Sequence, residues 1–217
     1  MNQRGSFMVK EYAMILFGLQ ACIGYAQNNS GRNLPTSFFI PFVESSLTEV
    51  VGDPYLSKDW SQGTIHTANG TFEGLLLRFN IASDILEHKR GTFTMYFDKK
   101  ALDEFTINTP EHDRRFRFMD QGQVRKKSRI GYYEVVSLGQ DSTELFIKHR
   151  KNLYEADLGA YSIQETPEYR YEPKLLVLKD NLLVKARLTN KLCEDHFGMP
   201  KAKVEEVLMT LGISLDD

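Results

Sequence analysis

The sequence predicts a mainly β protein: an antiparallel meander that forms a barrel or a sandwich, with two short C-terminal helices. Three observations carry this. Apolar and polar residues alternate at period 2 through most of the chain from Leu75 onward. Short linkers rich in turn formers separate the alternating runs. The 14 Phe and 10 Tyr among 217 residues favour strands and bury large areas.

The first residues read differently. Met1 to Tyr12 is polar and carries Arg4 and Lys10, and an apolar run follows from Ala13 to Ala26. That run is shorter than the roughly 20 residues needed to span a bilayer. It ends in Gly24-Tyr25-Ala26, a small-x-small pattern, and polar Gln27-Asn28-Asn29-Ser30 comes next. These are the three parts of a secretory signal, so residues 1–26 are expected to be a signal peptide. A start at Met8 would tighten it. Leu19-Gln20-Ala21-Cys22 also resembles a loose lipobox, which would place a lipid anchor on Cys22. Removing 26 of 217 residues leaves 191, with Cys193 as the one cysteine and no intramolecular disulfide.

Residues 27–50 read as a flexible lead-in and an edge segment, where Pro41 interrupts the apolar stretch Phe38 to Val43. Residues 51–217 read as one β-rich domain with C-terminal helices. Within it, one-face alternation marks Leu75, Leu77 and Phe79, then Phe93, Met95 and Phe97. It marks Phe105 and Ile107, Phe116 and Phe118, Tyr133 and Val135, and Leu145 and Ile147. Asp180-Asn181 is a hairpin turn between Leu175–Leu178 and Leu182–Val184. Val204, Val207, Leu208 and Leu211 then switch to helical spacing between Pro200 and Gly212, and a shorter helix over 188–197 ends at Gly198.

Few residues suggest chemistry. The net charge of −2 gives no global basic balance, so nucleic acid is not an expected partner. No nucleophile elbow, phosphate-binding glycine loop, zinc-protease helix or calcium loop occurs. Cys193 and His196 stand at C-x-x-H spacing without a second pair, so Cys193 reads as a core residue and no metal is expected. No histidine has a visible orienting partner. Asn28 and Asn69 match the glycosylation pattern, which matters only in a eukaryotic secretory pathway. No catalytic residue and no cofactor are assigned.

The one suggestive feature is basic. Residues 114–129 hold Arg114, Arg115, Arg117, Arg125, Lys126, Lys127 and Arg129 against a single acid, Asp120. If Arg115–Met119 and Ile130–Leu138 are the arms of a hairpin, these cations gather along one edge, where Lys148, Arg150 and Lys151 can join them. Such an edge suits an anionic glycan, an anionic lipid or an envelope protein. Positive charge on a hairpin edge also serves simply to block aggregation.

Gly52-Asp53-Pro54-Tyr55-Leu56, Trp60 and Gly63, then Leu77-Arg78-Phe79-Asn80 and Asp84, resemble a pattern in secreted β-rich proteins of Bacteroidota-type bacteria. The resemblance covers roughly residues 50–90. It implies a periplasmic or envelope location. That group has no assigned activity, so the resemblance supplies no catalytic residue. The sequence expectation is an exported protein that binds a partner or ligand without catalysis and has no spanning segment once the signal is removed. A hydrolase of envelope polymers is the alternative, and a small outer-membrane barrel is the third reading.

Overall fold

The period-2 segments form strands that pair largely in chain order. In the computed structural model, residues 34–41, 50–124, 126, 129–138, 143–154 and 166–213 are described. The expected signal peptide, Cys22, Asn28, Val43, Arg125 and Lys127 lie outside them. The strands are β1 (Phe39–Ile40), β2 (Ser61–Thr67), β3 (Gly70–Asn80), β4 (Ile85–Arg90), β5 (Phe93–Phe97), β6 (Glu104–Asn108) and β7 (Asp113–Met119). They continue with β8 (Gly131–Leu138), β9 (Thr143–Lys148), β10 (Lys151–Tyr154), β11 (Glu168–Tyr171), β12 (Lys174–Lys179) and β13 (Leu182–Lys185). Two helices follow, α1 (Asn190–Phe197) and α2 (Lys201–Thr210).

Eleven strands make one antiparallel sheet in the order β1-β5-β4-β3-β2-β6-β7-β8-β9-β12-β13. Its two ends, β1 and β13, do not pair with each other, so the described strands form no closed barrel. The sheet curls strongly instead. Phe79 of β3 and Phe116 of β7 stand three strands apart, about 14 Å on a flat sheet. Their ring centroids are 5.2 Å apart. The concave face gathers Leu75, Leu77, Phe79, Phe105, Phe116 and Tyr132 into one core.

Farther along the same face, α1 and α2 cover Val136, Leu138, Leu145 and Ile147 with Cys193, Phe197, Val204 and Leu208. The helices begin and end where the sequence places their punctuation. Thr189 caps α1 by accepting from the Leu192 N–H, and Gly198 stops it in a left-handed conformation. The Asp180-Asn181 turn has φ of 50° and 62°, as a two-residue hairpin turn requires.

Two alternation readings change. β8 is buried on both faces from Gly131 to Val136, because Tyr133, Val135 and Phe146 build a further core with Met119 and Leu176 on the opposite side. Phe93 is 74% exposed, since it pairs with Arg90 at the tip of the β4–β5 hairpin, beyond the core. Pro41 follows a two-residue β1, the expected edge strand.

The Gly52–Leu56 motif is a strap. Val51 bridges to Glu168 in a parallel pair, while Tyr55 bridges to Asn80. The Pro54 carbonyl accepts from the Ile81 and Ala82 N–H groups. Trp60 packs on Arg78, whose guanidinium lies 4.3 Å from its ring and 3.8 Å from that of Tyr55. No described helix is long and apolar enough to cross a membrane.

The curl brings the β3–β4 turn against β8. A Cβ on Gly131 would lie 1.8 Å from Asp84 Oδ2 and 2.8 Å from Lys148 Nζ, and Gly131 has φ of 150°. Gly131→Ala is therefore expected to cost about 2–3 kcal/mol in urea unfolding. The same change should cost measurably less in an Asp84→Ala background, because its nearest obstacle is then gone.

Candidate functional site

Asp84 sits in the β3–β4 turn with φ of 60°. Its Oδ1 accepts from Lys148 Nζ at 2.8 Å and from the Tyr132 backbone N–H at 3.4 Å. Its Oδ2 accepts from Lys99 Nζ at 3.2 Å. Lys148 also donates to the Tyr132 carbonyl at 2.9 Å and lies 4.9 Å from the Tyr133 ring centre. Burial pulls the Lys148 pKa below its ordinary value, with Asp84 opposing. Burial, reinforced by Asp84, pushes the Tyr133 hydroxyl up to about 12.

Next to this clasp the β9–β12 hairpin bends out of the sheet. Lys148 pairs with Lys174 and Lys151 with Tyr171, so β10–β11 continues the β9–β12 register after a break. That register sets Pro173, which has no N–H, across from His149, and the ladder stops there. The bend opens a cavity of about 390 Å³. Asp84, Lys99 and Lys148 line it, with Ile81, Ile130, Tyr133 and Leu176 as apolar walls. Ala82 and His149 also line it, and Lys126, Arg129, Arg150, Lys174 and Lys185, all exposed, complete the lining. None of these five forms an ion pair with a described residue. The lining thus carries seven cations and one carboxylate, and that carboxylate is already held by two lysines.

The basic segment predicted from sequence is divided by the fold. The expected hairpin exists as β7–β8, but its strand arginines meet carboxylates. Arg114 donates to both oxygens of the buried Glu134, each at 2.7 Å. Arg115 and Arg117 both bind Glu144, and Arg117 also reaches Glu104. Lys126 and Arg129 line the cavity. Of the neighbours expected to join, Lys148 and Arg150 do, while Lys151 donates to the Tyr55 carbonyl at 2.6 Å. Sequence reasoning missed Asp84, Lys99, Lys174 and Lys185. One signal was available: pairing the Leu145–Lys148 and Lys174–Val177 runs sets two lysines directly opposite, an unfavourable contact.

Beside the cavity runs a buried chain of hydrogen bonds. His149 is 3% exposed and Glu134 1%. The 2.6 Å contact between His149 Nε2 and Glu134 Oε2 assigns the proton to Nε2, leaving Nδ1 to accept from the Tyr171 hydroxyl at 2.5 Å. Burial holds His149 below its ordinary 6.5, with Glu134 opposing. Burial works against the Glu134 charge, but hydrogen bonds from Arg114 and His149 outweigh it and hold its pKa at about 2. Burial raises the Tyr171 hydroxyl. A weakened base facing a less acidic phenol is the reverse of an activated nucleophile. The chain ties the bent β10–β11 hairpin to β7 and β8.

The other histidines show no comparable arrangement: His66 bonds Thr71, His88 bonds the Leu76 carbonyl, and His196 packs on Phe197. His112 has no hydrogen-bond partner at either ring nitrogen among the described residues. Cys193 is buried in the helix-covered core, as expected. No group of three or more metal-ligating side chains occurs among the described residues. No protein-family model, curated protein or solved structure matches this chain.

The buried chain sets a pH dependence. His149 has a lowered folded pKa, so the unfolded chain takes up its proton first as pH falls below 6.5, and stability drops. Glu134 adds a second loss between its ordinary 4.5 and about 2, on the order of 3 kcal/mol. Urea midpoints measured from neutral to acid pH should show both steps, and His149→Gln should remove the first.

Proposed function

We propose that this chain is an exported envelope protein that binds a small anionic ligand in the cavity beside the β9–β12 bend and does not transform it. One observation carries the binding reading: five cations that form no ion pair among the described residues surround a cavity whose one lining carboxylate is already held by two lysines. Its volume falls within the roughly 300–1,000 Å³ of small-molecule pockets. Apolar walls lower the local dielectric around the largely buried Lys148, which strengthens its charge contacts. The weakened base at the cavity wall and the less acidic phenol behind it favour holding over turnover. Export and an envelope location rest on the signal-like residues 1–26 and on the secreted proteins that residues 50–90 resemble.

Thermal unfolding of the purified protein with orthophosphate, citrate and pyrophosphate tests the binding. An anion at about 100 times its dissociation constant should raise Tm by about 5–10 °C. Lys174→Glu combined with Lys185→Glu, both on exposed positions, should abolish the rise and leave a ligand-free Tm no lower than that of the parent. A Tm that ignores every anion at millimolar concentration would overturn the reading.

A further inference from the structure

The lining sums to six positive charges, seven cations against Asp84, in a volume of about 390 Å³. A carboxylate brings one charge and two acceptor oxygens, so matching the lining would take six of them. A phosphate monoester brings roughly 1.5 to 2 charges and three acceptor oxygens. Two such groups bring about three to four charges and three bring about five to six, so several phosphates on a short frame approach the charge of the lining.

The donor set points the same way. Five of the seven cations are lysines, whose ammonium groups act as point charges toward phosphate oxygens from any direction. They come from separate elements: the turn at Lys99–Ala101, the loop before β8, the end of β9, the start of β12 and the end of β13. They therefore approach the space from several sides. Lys148 and Lys174 face each other directly across β9 and β12. Asp84 engages Lys148 but forms no ion pair with Lys174, so this like-charge pair is only partly relieved within the protein. An anion bridging the two would relieve it.

We infer that the cavity takes a ligand bearing two or more phosphate groups, either a soluble polyphosphorylated small molecule or the phosphorylated headgroup of a lipid. This rests on the anion-binding reading above. The ring of Lys126, Arg129, Arg150, Lys174 and Lys185 holds the phosphates, and Ile130, Tyr133 and Leu176 pack against the frame that joins them.

Calorimetric titration of the purified protein at fixed ionic strength tests it, with orthophosphate, pyrophosphate, tripolyphosphate and citrate as probes. Affinity should rise about tenfold per added phosphate, and pyrophosphate should exceed citrate by at least about tenfold. Lys174→Gln with Lys185→Gln should flatten the series. Vesicles carrying a bis-phosphorylated lipid are compared with vesicles of equal surface charge carrying only phosphodiester headgroups. Preference for the former, with weak soluble binding, supports the inference and identifies a lipid source. Citrate equal to pyrophosphate, or a flat phosphate series without vesicle preference, overturns the inference and leaves anion binding standing. No binding in any arm overturns both.

Discussion

The Asp84 carboxylate is the contact on which the arrangement depends. Among the described strands, the curled eleven-stranded sheet with unpaired ends has no ladder of hydrogen bonds to hold one side against the other. Asp84 supplies that link with one side chain. It reaches from the β3–β4 turn to the Tyr132 amide of β8 and to Lys148 of β9, strands well separated from it in the sheet order. Both its left-handed backbone and the missing Cβ of Gly131 are needed for so close an approach. The aromatic core of Phe79, Phe105, Phe116 and Tyr132 fills the concavity that this link keeps shut.

The second constraint is the buried Arg114–Glu134–His149–Tyr171 chain. An unpaired buried carboxylate would cost several kcal/mol, and removing one partner of such a pair typically costs about 3–5 kcal/mol. Glu134 escapes this because Arg114 covers both of its oxygens and His149 adds a third donor. The arrangement fixes where the β9–β12 hairpin leaves the sheet. Once Pro173 ends the ladder, the Tyr171 hydroxyl on His149 and the Lys151 contact with the Gly52–Leu56 strap hold the bent half. The cavity is the space left between that bend and the Asp84 clasp.

Local signals were legible in the sequence, and long-range ones were not. Asp180-Asn181, Gly198 and Pro41 act within a few residues, so turn, helix stop and edge strand could be read directly. Cys193 and Phe105 fell on apolar faces that alternation or helical spacing defines. The double burial of β8 was hidden because alternation reports one buried face, while Tyr132 and Tyr133 serve two cores. The basic segment looked like one patch because sequence proximity says nothing about which cations meet acids. Glu104, Glu134 and Glu144 lie on three other strands, and they take the three β7 arginines. Lys99, Lys174 and Lys185 are scattered in sequence and converge only through strand order and curl.

The division of those cations matters more than their number. An arginine held by two carboxylate oxygens has little field left for a ligand, whereas a lysine without a partner keeps most of its own. The β7 arginines thus act as cross-strand ties, and the weaker, scattered lysines make the electropositive cavity. Such a cavity destabilises the empty protein through like-charge repulsion, most directly between Lys148 and Lys174. Burial already pulls the Lys148 ammonium toward its neutral form. A bound anion would reverse both effects at once: it would screen the lysine pair and favour the charged state of Lys148. Anion binding would therefore be coupled to protonation of this site by the same geometry, with the Asp84 clasp holding the cation that feels them both.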